Sequence, residues 1–447
     1  MRLYAKLLFS NAVNDSQLIE VLEYWNFWSQ DRRTGVYRRD YAEELYRQRR
    51  LREASIVAGV RRAGKSTILL QVLKKLIDAG TPRENILYVN FEEPTFIPYL
   101  TVEFLLRIHD LYLERFTPRG RTYVVLDEVQ LVSGWERFVR GLYDREKNIK
   151  FYITGSSSKL LSKEYGTSLT GRIVSNEVFP LSFQEFLAFN NKKDLIEKSR
   201  GRGSPALRNL FHQYIRFGGF PQVVLTEEEK DKMQILKDYY TAVIEKDIIQ
   251  RYQIRDIKKL KEFCLNLFAN VATYFSGYQA EKRQRISQPT ANKFLEYARE
   301  VFLVQTADYF SYSFTEQKAH PYKVYAIDPG LYNAVSFRFS ENIGRIFENI
   351  VYLALRGKGE EVFYWKGKGE VDFLPRKGTK IDRLINVCWK LNKKNEEREF
   401  SSLCEAMEQF NVADARIIVG GYDDRVNIKG KKIVISNIFS WLKEGNR

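Results

Sequence analysis

The run Gly59-Val-Arg-Arg-Ala-Gly64-Lys65-Ser66 carries the spacing of a phosphate-binding loop, GxxxxGK closed by a hydroxyl residue. Its glycines let backbone N–H groups turn onto phosphate oxygens, and a helix starting at its end adds a positive dipole end. The pattern puts Gly59, Arg61, Arg62, Ala63, Gly64, Lys65, Ser66 and Thr67 around a nucleotide such as ATP. Lys65 reaches the β- and γ-phosphates, and the Ser66 hydroxyl holds Mg2+. Arg61 and Arg62 read as solvent-exposed at the loop tip.

A second chemical run follows in "RTYVVLDEVQ". Asp127, at the end of an apolar strand, completes a Mg2+ site, and Glu128 is placed to polarise an attacking water. Asn90 closes another apolar strand and is either a restraint on Glu128 or a plain strand-end cap. In "FYITGSSSKLL", Ser156 or Thr154 leaves a strand where a γ-phosphate would be felt. Arg172, just past a glycine, is a candidate for stabilising transition-state charge in cis or across a subunit interface, with a structural ion pair as the rival.

The third run is "GEVDFLPRKGTKIDRLINVCWK". Glu370 and Asp372 share one face of a strand. Metal-dependent nucleases place an acid and a lysine on the next strand. Here Asn386 and Cys388 stand in those places, and a thiol is too soft for Mg2+. Lys390 is the remaining candidate, one strand step of ~6.6 Å further on. A site that binds rather than cuts is the expectation.

These residues need elements to hold them. A short apolar strand precedes the loop, and Ile68, Leu69, Val72, Leu73 and Leu76 follow at helical spacing. The strands "NILYVNF", "YVVLD" and "KFYITG" alternate with helical stretches, so an α/β fold with a parallel sheet is expected. Helical spacing then runs through "LSFQEFLAF" and "ALRNLFHQYIRF" to Gly218-Gly219 and Pro221, a turn that reads as a hinge or a helix stop.

At 447 residues the chain is long enough for two to four domains. Lys plus Arg is 72 against 56 for Asp plus Glu, a net charge of +16. That surplus, with the clustering of basic residues, favours a nucleic-acid partner over a merely charged, thermophile-like surface. The three cysteines, Cys264, Cys388 and Cys404, are odd in number and far apart, which excludes a disulfide framework or a zinc knuckle. His109, His212 and His320 are equally scattered. Lys6 interrupts the apolar start "MRLYAKLLFSNAV", and no run nears the ~18 apolar residues of a membrane helix. A cytoplasmic, soluble protein is expected.

The segments "GVRRAGKST", "YVNFEE", "VVLDEVQ", "GWERFVRGLYD", "FYITGSSSKLL", "LTGR", "FPLSFQEFL" and "RFGGFPQVV" resemble, in order and spacing, a large archaeal and bacterial family of AAA+-type ATPases close to the STAND-like NTPases. The resemblance runs from about Asn26 onward. It implies a P-loop AAA+-type parallel sheet with a helical lid, a winged helix and a C-terminal α/β restriction-endonuclease-like domain of the PD-(D/E)XK type. The expected divisions are a basic segment over 1–52 flanking the nucleotide, the ATPase core over 53–180, the lid over 181–256, the winged helix over 257–320 and the nuclease-like domain over 321–447. The family pattern adds Glu348 to Glu370 and Asp372.

In the expected winged helix, Ser287 is an N-cap candidate, with Pro289 at the first helical position. Lys282, Arg283, Arg285, Asn292 and Lys293 are the candidates for contact with DNA. The leading expectation is an Mg2+-dependent ATPase whose cycle acts on or with nucleic acid, in repair, recombination or defence. The alternatives are an ATP-driven switch with a protein partner or second copy, and an ATP-controlled nuclease.

Overall fold

The apolar runs around the phosphate loop become parallel strands: β1 (Ala54–Ala58), β2 (Ile86–Asn90), β3 (Thr122–Asp127), β4 (Ile149–Gly155) and β5 (Ile173–Glu177). The computed structural model describes residues 14–161, 169–199, 201–336, 343–378 and 380–444; the apolar start of the chain lies outside them. The described chain forms two units. One holds the residues up to Gly59 with Gly64–Val178, the other Val60–Ala63 with Phe179–Arg447.

In the first unit the sheet order is β2-β3-β4-β1-β5. Every residue of β1 and β4 is buried, the mark of a parallel sheet covered on both faces. The helix Lys65–Asp78 follows β1 through the loop and buries Ile68, Leu69, Val72, Leu73 and Leu76. An exposed strand edge invites unwanted pairing. Here the edge strand β2 is covered by the N-terminal segment. Asn26 is fully buried; its side chain accepts from the Tyr88 N–H at 2.7 Å and donates to the Tyr88 carbonyl at 2.9 Å. Trp28 donates to the Ile86 carbonyl at 2.7 Å. The Gln71 amide then ties the carbonyls of Thr34 and Val36 to the helix after the loop, each at 2.8 Å.

The second unit carries β6 (Thr273–Phe275), β7 (Val304–Tyr309), β8 (Tyr322–Ala326), β9 (Glu361–Lys366), β10 (Glu370–Lys377), β11 (Lys380–Ile381), β12 (Arg383–Cys388), β13 (Asp414–Val419), β14 (Asp424–Ile428) and β15 (Lys431–Asn437). They form one sheet in the order β14-β15-β13-β12-β10-β9-β7-β8-β6, with β11 paired to β10. The expected division at 320/321 therefore falls inside a continuous sheet: β8 pairs with β6 and β7, and β7 pairs in parallel with β9. The helices Ile257–Ala269, Gly277–Gln284 and Gln288–Glu300 accompany β6 to β8. Pro289 is the second residue of its helix rather than the first.

The Gly218-Gly219 turn is packed closed. The Asp328 carboxylate, 1% exposed, accepts from the Gly219 N–H at 2.7 Å and the Leu331 N–H at 2.9 Å. Gly330 lies so close that a Cβ there would sit 2.1 Å from the Phe217 carbonyl oxygen. Burial pushes the Asp328 carboxyl up from 3.8 to about 6, against the pull of its backbone donors. Its contribution to stability is complete below the unfolded value of 3.8 and is lost as pH rises through about 6. The span is on the order of 3 kcal/mol. Asp328→Asn keeps the shape, leaves one N–H unaccepted and does not titrate. It should cost about 1–3 kcal/mol and flatten the fall in stability between pH 4 and 7, measured as urea midpoints of the full chain across that range.

Candidate nucleotide site and carboxylate cluster

The phosphate loop leaves β1 with Gly64 in the left-handed region at φ 94°, capping the N-terminus of the helix Lys65–Asp78. Lys65 is buried. Its ammonium donates to the Gly59 carbonyl at 3.1 Å and lies 3.3 Å from the Glu128 carboxylate. Thr67 faces the N-terminal segment, with its methyl 3.2 Å from where a Cβ on Gly35 would lie. Ala63 is fully buried, and its N–H donates to the Val60 carbonyl at 3.3 Å.

Asp127 ends β3 and is buried. The hydroxyls of Tyr88 and Thr154 donate to its two oxygens, and the Ser66 hydroxyl is also bonded to it. Burial, with the neighbouring charge of Glu128, holds its carboxyl above the usual range. Ser66 and Asp127 thus form a pair of hard oxygen ligands, which fits Mg2+. A helix N-terminus with a buried lysine beside it fits the phosphates it would bridge. Mg2+ held there would supply charge neutralisation at the phosphate oxygens of a nucleotide.

Glu128 sits in the left-handed region at φ 56°, uncommon for a side chain of its size. Its N–H donates to Thr154 Oγ1 at 2.9 Å. Its carboxylate is held by Gln130, whose Nε2 donates to Glu128 Oε2 at 2.6 Å and to Ser156 Oγ at 3.3 Å. Gly155 makes room: a Cβ there would lie 2.3 Å from Gln130 Oε1. The structure therefore puts Gln130, which the sequence reading overlooked, on Glu128. Asn90 takes the strand-end cap instead, accepting from the Glu92 N–H at 3.0 Å. Thr154 is committed to Asp127 and to the Glu128 backbone, leaving Ser156 as the strand-end hydroxyl beside Gln130.

Two arginine expectations change. Arg172 lies before β5, and its carbonyl accepts from Ala54 at the start of β1. The phosphate loop leaves the other end of β1, five residues and roughly 16 Å away, so Arg172 cannot serve the nucleotide of its own chain. Its guanidinium pairs with Asp144 at 3.1 Å. Arg61 is not a free loop-tip residue. It makes a two-pronged pair with Asp247, at 3.0 and 3.2 Å, within a π-helical stretch Val243–Gln250. Arg62 is exposed and lies 5.9 Å from the Tyr239 ring.

In the second unit Glu348, Glu370 and Asp372 do come together, around a residue the sequence reading did not consider. Lys323 on β8 is buried. Its ammonium lies 2.8 Å from Glu348 Oε1, 2.6 Å from Glu370 Oε1 and 2.9 Å from Asp372 Oδ1. The Tyr325 hydroxyl donates to Glu348 at 2.8 Å, the Tyr274 hydroxyl to Glu370 at 2.6 Å and the Val387 N–H to Asp372 at 2.9 Å. Burial pushes the Glu348 carboxyl up to about 7, against the pull of Lys323. Burial would lower Lys323, but Asp372, Glu348 and Glu370 together raise it well above its ordinary value.

Lys390 is not there. β12 stops at Cys388, and Lys390 is exposed beyond it. Its carbonyl accepts from the Cys388 thiol at 3.0 Å and the Asn395 amide at 2.9 Å. Asn386 is not a spare ligand either. Fully buried, it accepts from the Asp372 N–H at 3.2 Å and donates to Glu399 at 2.7 Å and Ser402 at 3.1 Å. Among the described residues, no three or more His, Cys, Asp or Glu side chains are arranged to hold a metal ion.

The geometry around Glu128 makes Gln130 a positioning residue. Gln130→Ala should lower nucleotide turnover about tenfold or more with nucleotide affinity within about twofold. An equal loss of both would mean that Gln130 only stabilises the fold.

A family model described as "AAA domain" matches residues 51–187, and one described as "Domain of unknown function (DUF8612)" matches 208–342. The chain is 35% identical over 406 residues to the uncharacterized protein MJ1544 of Methanocaldococcus jannaschii, covering 86% of this chain and 87% of that one. An uncharacterized protein of Haemophilus influenzae is 29% identical over 414 residues, covering 91% and 98%. Among solved structures, the Walker-type ATPase PABY2304 of Pyrococcus abyssi aligns with a TM-score of 0.46 at 16% identity, covering 68% of this chain and 97% of that one. The AAA-domain match spans the phosphate loop, Asp127 and Glu128, and the chain belongs to the family of the uncharacterized protein MJ1544.

Proposed function

We propose that this protein is an Mg2+-dependent ATPase that works on or with DNA, and that its C-terminal half binds rather than cuts. The observation that carries the ATPase reading is the Lys65–Glu128–Gln130 arrangement beside Asp127 and Ser66. Lys65 and the backbone of the loop bind and orient the phosphates. Ser66 and Asp127 hold the metal. Glu128, carried by Gln130, accepts the proton of the attacking water as the β–γ phosphoanhydride opens.

The DNA reading rests on the second unit. The order helix, strand, helix, helix, then two antiparallel strands joined through the short helix Phe314–Ala319, over Ile257–Ala326, supports a winged helix. Lys282, Arg283 and Arg285 are exposed at the end of the helix Gly277–Gln284, and Asn292 and Lys293 are exposed on the next helix. Together with a net charge of +16 they suit a phosphate backbone. The order of the helix Ile343–Gly357, the β9–β10 hairpin, β12, the helix Glu396–Phe410 and β13 supports the nuclease-like reading of the C-terminal half.

A second reading, an ATP-driven switch with a protein partner, is favoured by the Arg61–Asp247 pair. That pair gives a π-helical stretch, a feature frequent at functional sites, a direct hold on the phosphate loop.

Lys65→Ala and Glu128→Gln should each lower ATP turnover at least about a hundredfold, in an assay run across single-stranded, duplex and branched DNA. Wild-type activity in either variant would remove the assignment. Stimulation by one DNA form favours the DNA reading, and nucleotide-dependent assembly with no DNA effect favours the switch. Replacing both Lys282 and Arg283 by Ala should weaken binding to all sequences alike. It should also reduce the slope of log affinity against log salt by about 2; an unchanged slope would move the DNA face elsewhere.

A further inference from the structure

The nuclease-like reading implies a divalent metal among Glu348, Glu370 and Asp372, and the residues present do not fit one. An ammonium has three N–H bonds and no acceptor. Lys323 has three carboxylates within 2.9 Å, drawn from the helix Ile343–Gly357 and from β10. Each carboxylate also receives a second donor fixed in the fold: Tyr325 on Glu348, Tyr274 on Glu370 and the Val387 N–H on Asp372. Mg2+ demands near-octahedral oxygens at 2.0–2.1 Å and keeps several waters. Entering here, it would meet a buried positive charge at the point where the oxygens converge.

We propose that Lys323 is a tethered replacement for the metal: a cation built into β8 that permanently fills the carboxylate site, so that this half of the chain takes up no divalent ion there and cleaves no phosphodiester. The description of the filled site as a former metal site rests on the nuclease-like reading; the filling itself does not. Three consequences follow from the geometry. The chain itself supplies one positive charge, half that of a divalent metal, against the three carboxylates. The lysine joins β8 to β10 and to the helix carrying Glu348, across a sheet in which β7 and β9 lie between β8 and β10. Removing the ammonium leaves three partly buried acids facing one space, and such a space takes a hard divalent cation.

The test is a titration of the full-length, nucleotide-free protein with Mn2+, followed by electron paramagnetic resonance of the free ion. Wild type should take up no Mn2+ at this site up to about 1 mM, the weak end of protein carboxylate sites. Lys323→Ala should gain one site at least tenfold tighter than that limit, and adding Asp372→Asn to it should abolish the gain. A folded Lys323→Ala protein, judged by circular dichroism, that gains no Mn2+ would overturn the proposal. If Lys323→Ala does not fold, the wild type decides: uptake that disappears in Glu370→Gln overturns the proposal, and no uptake supports it. Cleavage of supercoiled DNA by Mn2+-loaded Lys323→Ala separates the two ideas. Nicking supports a nuclease-like ancestry as well, whereas metal uptake without nicking leaves the tethered cation standing and removes that ancestry.

Discussion

An ammonium taken out of water costs several kcal/mol unless carboxylates meet it with good geometry. Both chemical centres of this chain are arranged around that constraint. Lys65 is 4% exposed and Lys323 is 3% exposed. Lys65 meets Glu128 and a backbone carbonyl from its own loop; Lys323 meets three acids from two other elements. The closeness of the acids separates an exchangeable site from a filled one. At 3.3 Å the Glu128 contact is long enough for the Lys65 ammonium to trade it for phosphate oxygens. Three partners between 2.6 and 2.9 Å leave Lys323 nothing to gain by moving.

The same reasoning explains why Glu128 is restrained on every side. Free of its lysine, a carboxylate beside buried Asp127 would be repelled by it, and that repulsion is part of what raises the Asp127 carboxyl. Thr154 answers by accepting from the Glu128 N–H while donating to Asp127, so one hydroxyl fixes the relative position of both acids. Gln130 then holds the Glu128 side chain without adding charge. The left-handed backbone at Glu128 is sustained by these contacts, which is where strain of this kind is normally stored.

Local chemistry was legible in the sequence wherever it was contiguous. The phosphate loop, the strand ending in Asp127 and Glu128, and the pair Glu370 and Asp372 each fit within a short run whose spacing states its geometry. Lys323 was not legible, because it precedes Glu370 by 47 positions and the two strands are not neighbours in the sheet, so only the folded chain brings them together. A charged residue inside the apolar strand "YKVYA" was the one signal available. Lys390 misled because alternation was extended past the end of β12, where the chain turns back to Asn395. Arg172 could have been judged from sequence alone. In a parallel sheet the ligand lies beyond the C-terminal ends of the strands, and Arg172 precedes its strand.

The segment from Tyr322 to Leu331 accounts for the failure of the expected 320/321 division to separate two bodies. It begins as β8, pairing on one side with β6 and on the other with β7. At its second residue it supplies the cation that Glu348, Glu370 and Asp372 require. At Tyr325 it donates to Glu348, and at Ala326 its N–H and carbonyl are both taken by Asn349, at 2.7 and 2.9 Å. Two residues later Asp328 closes the Gly218-Gly219 turn. One short run therefore ties β6 and β7, the carboxylate cluster and the helices before them by polar contacts. Separating these parts would strand an ammonium, three carboxylates and a backbone turn without partners, and each of those losses is costly in a low-dielectric interior. Composition and periodicity mark boundaries where apolar patterns pause, and the pattern does pause before β8. The physical boundary lies where few polar bonds cross, and there is none such at this point in the chain.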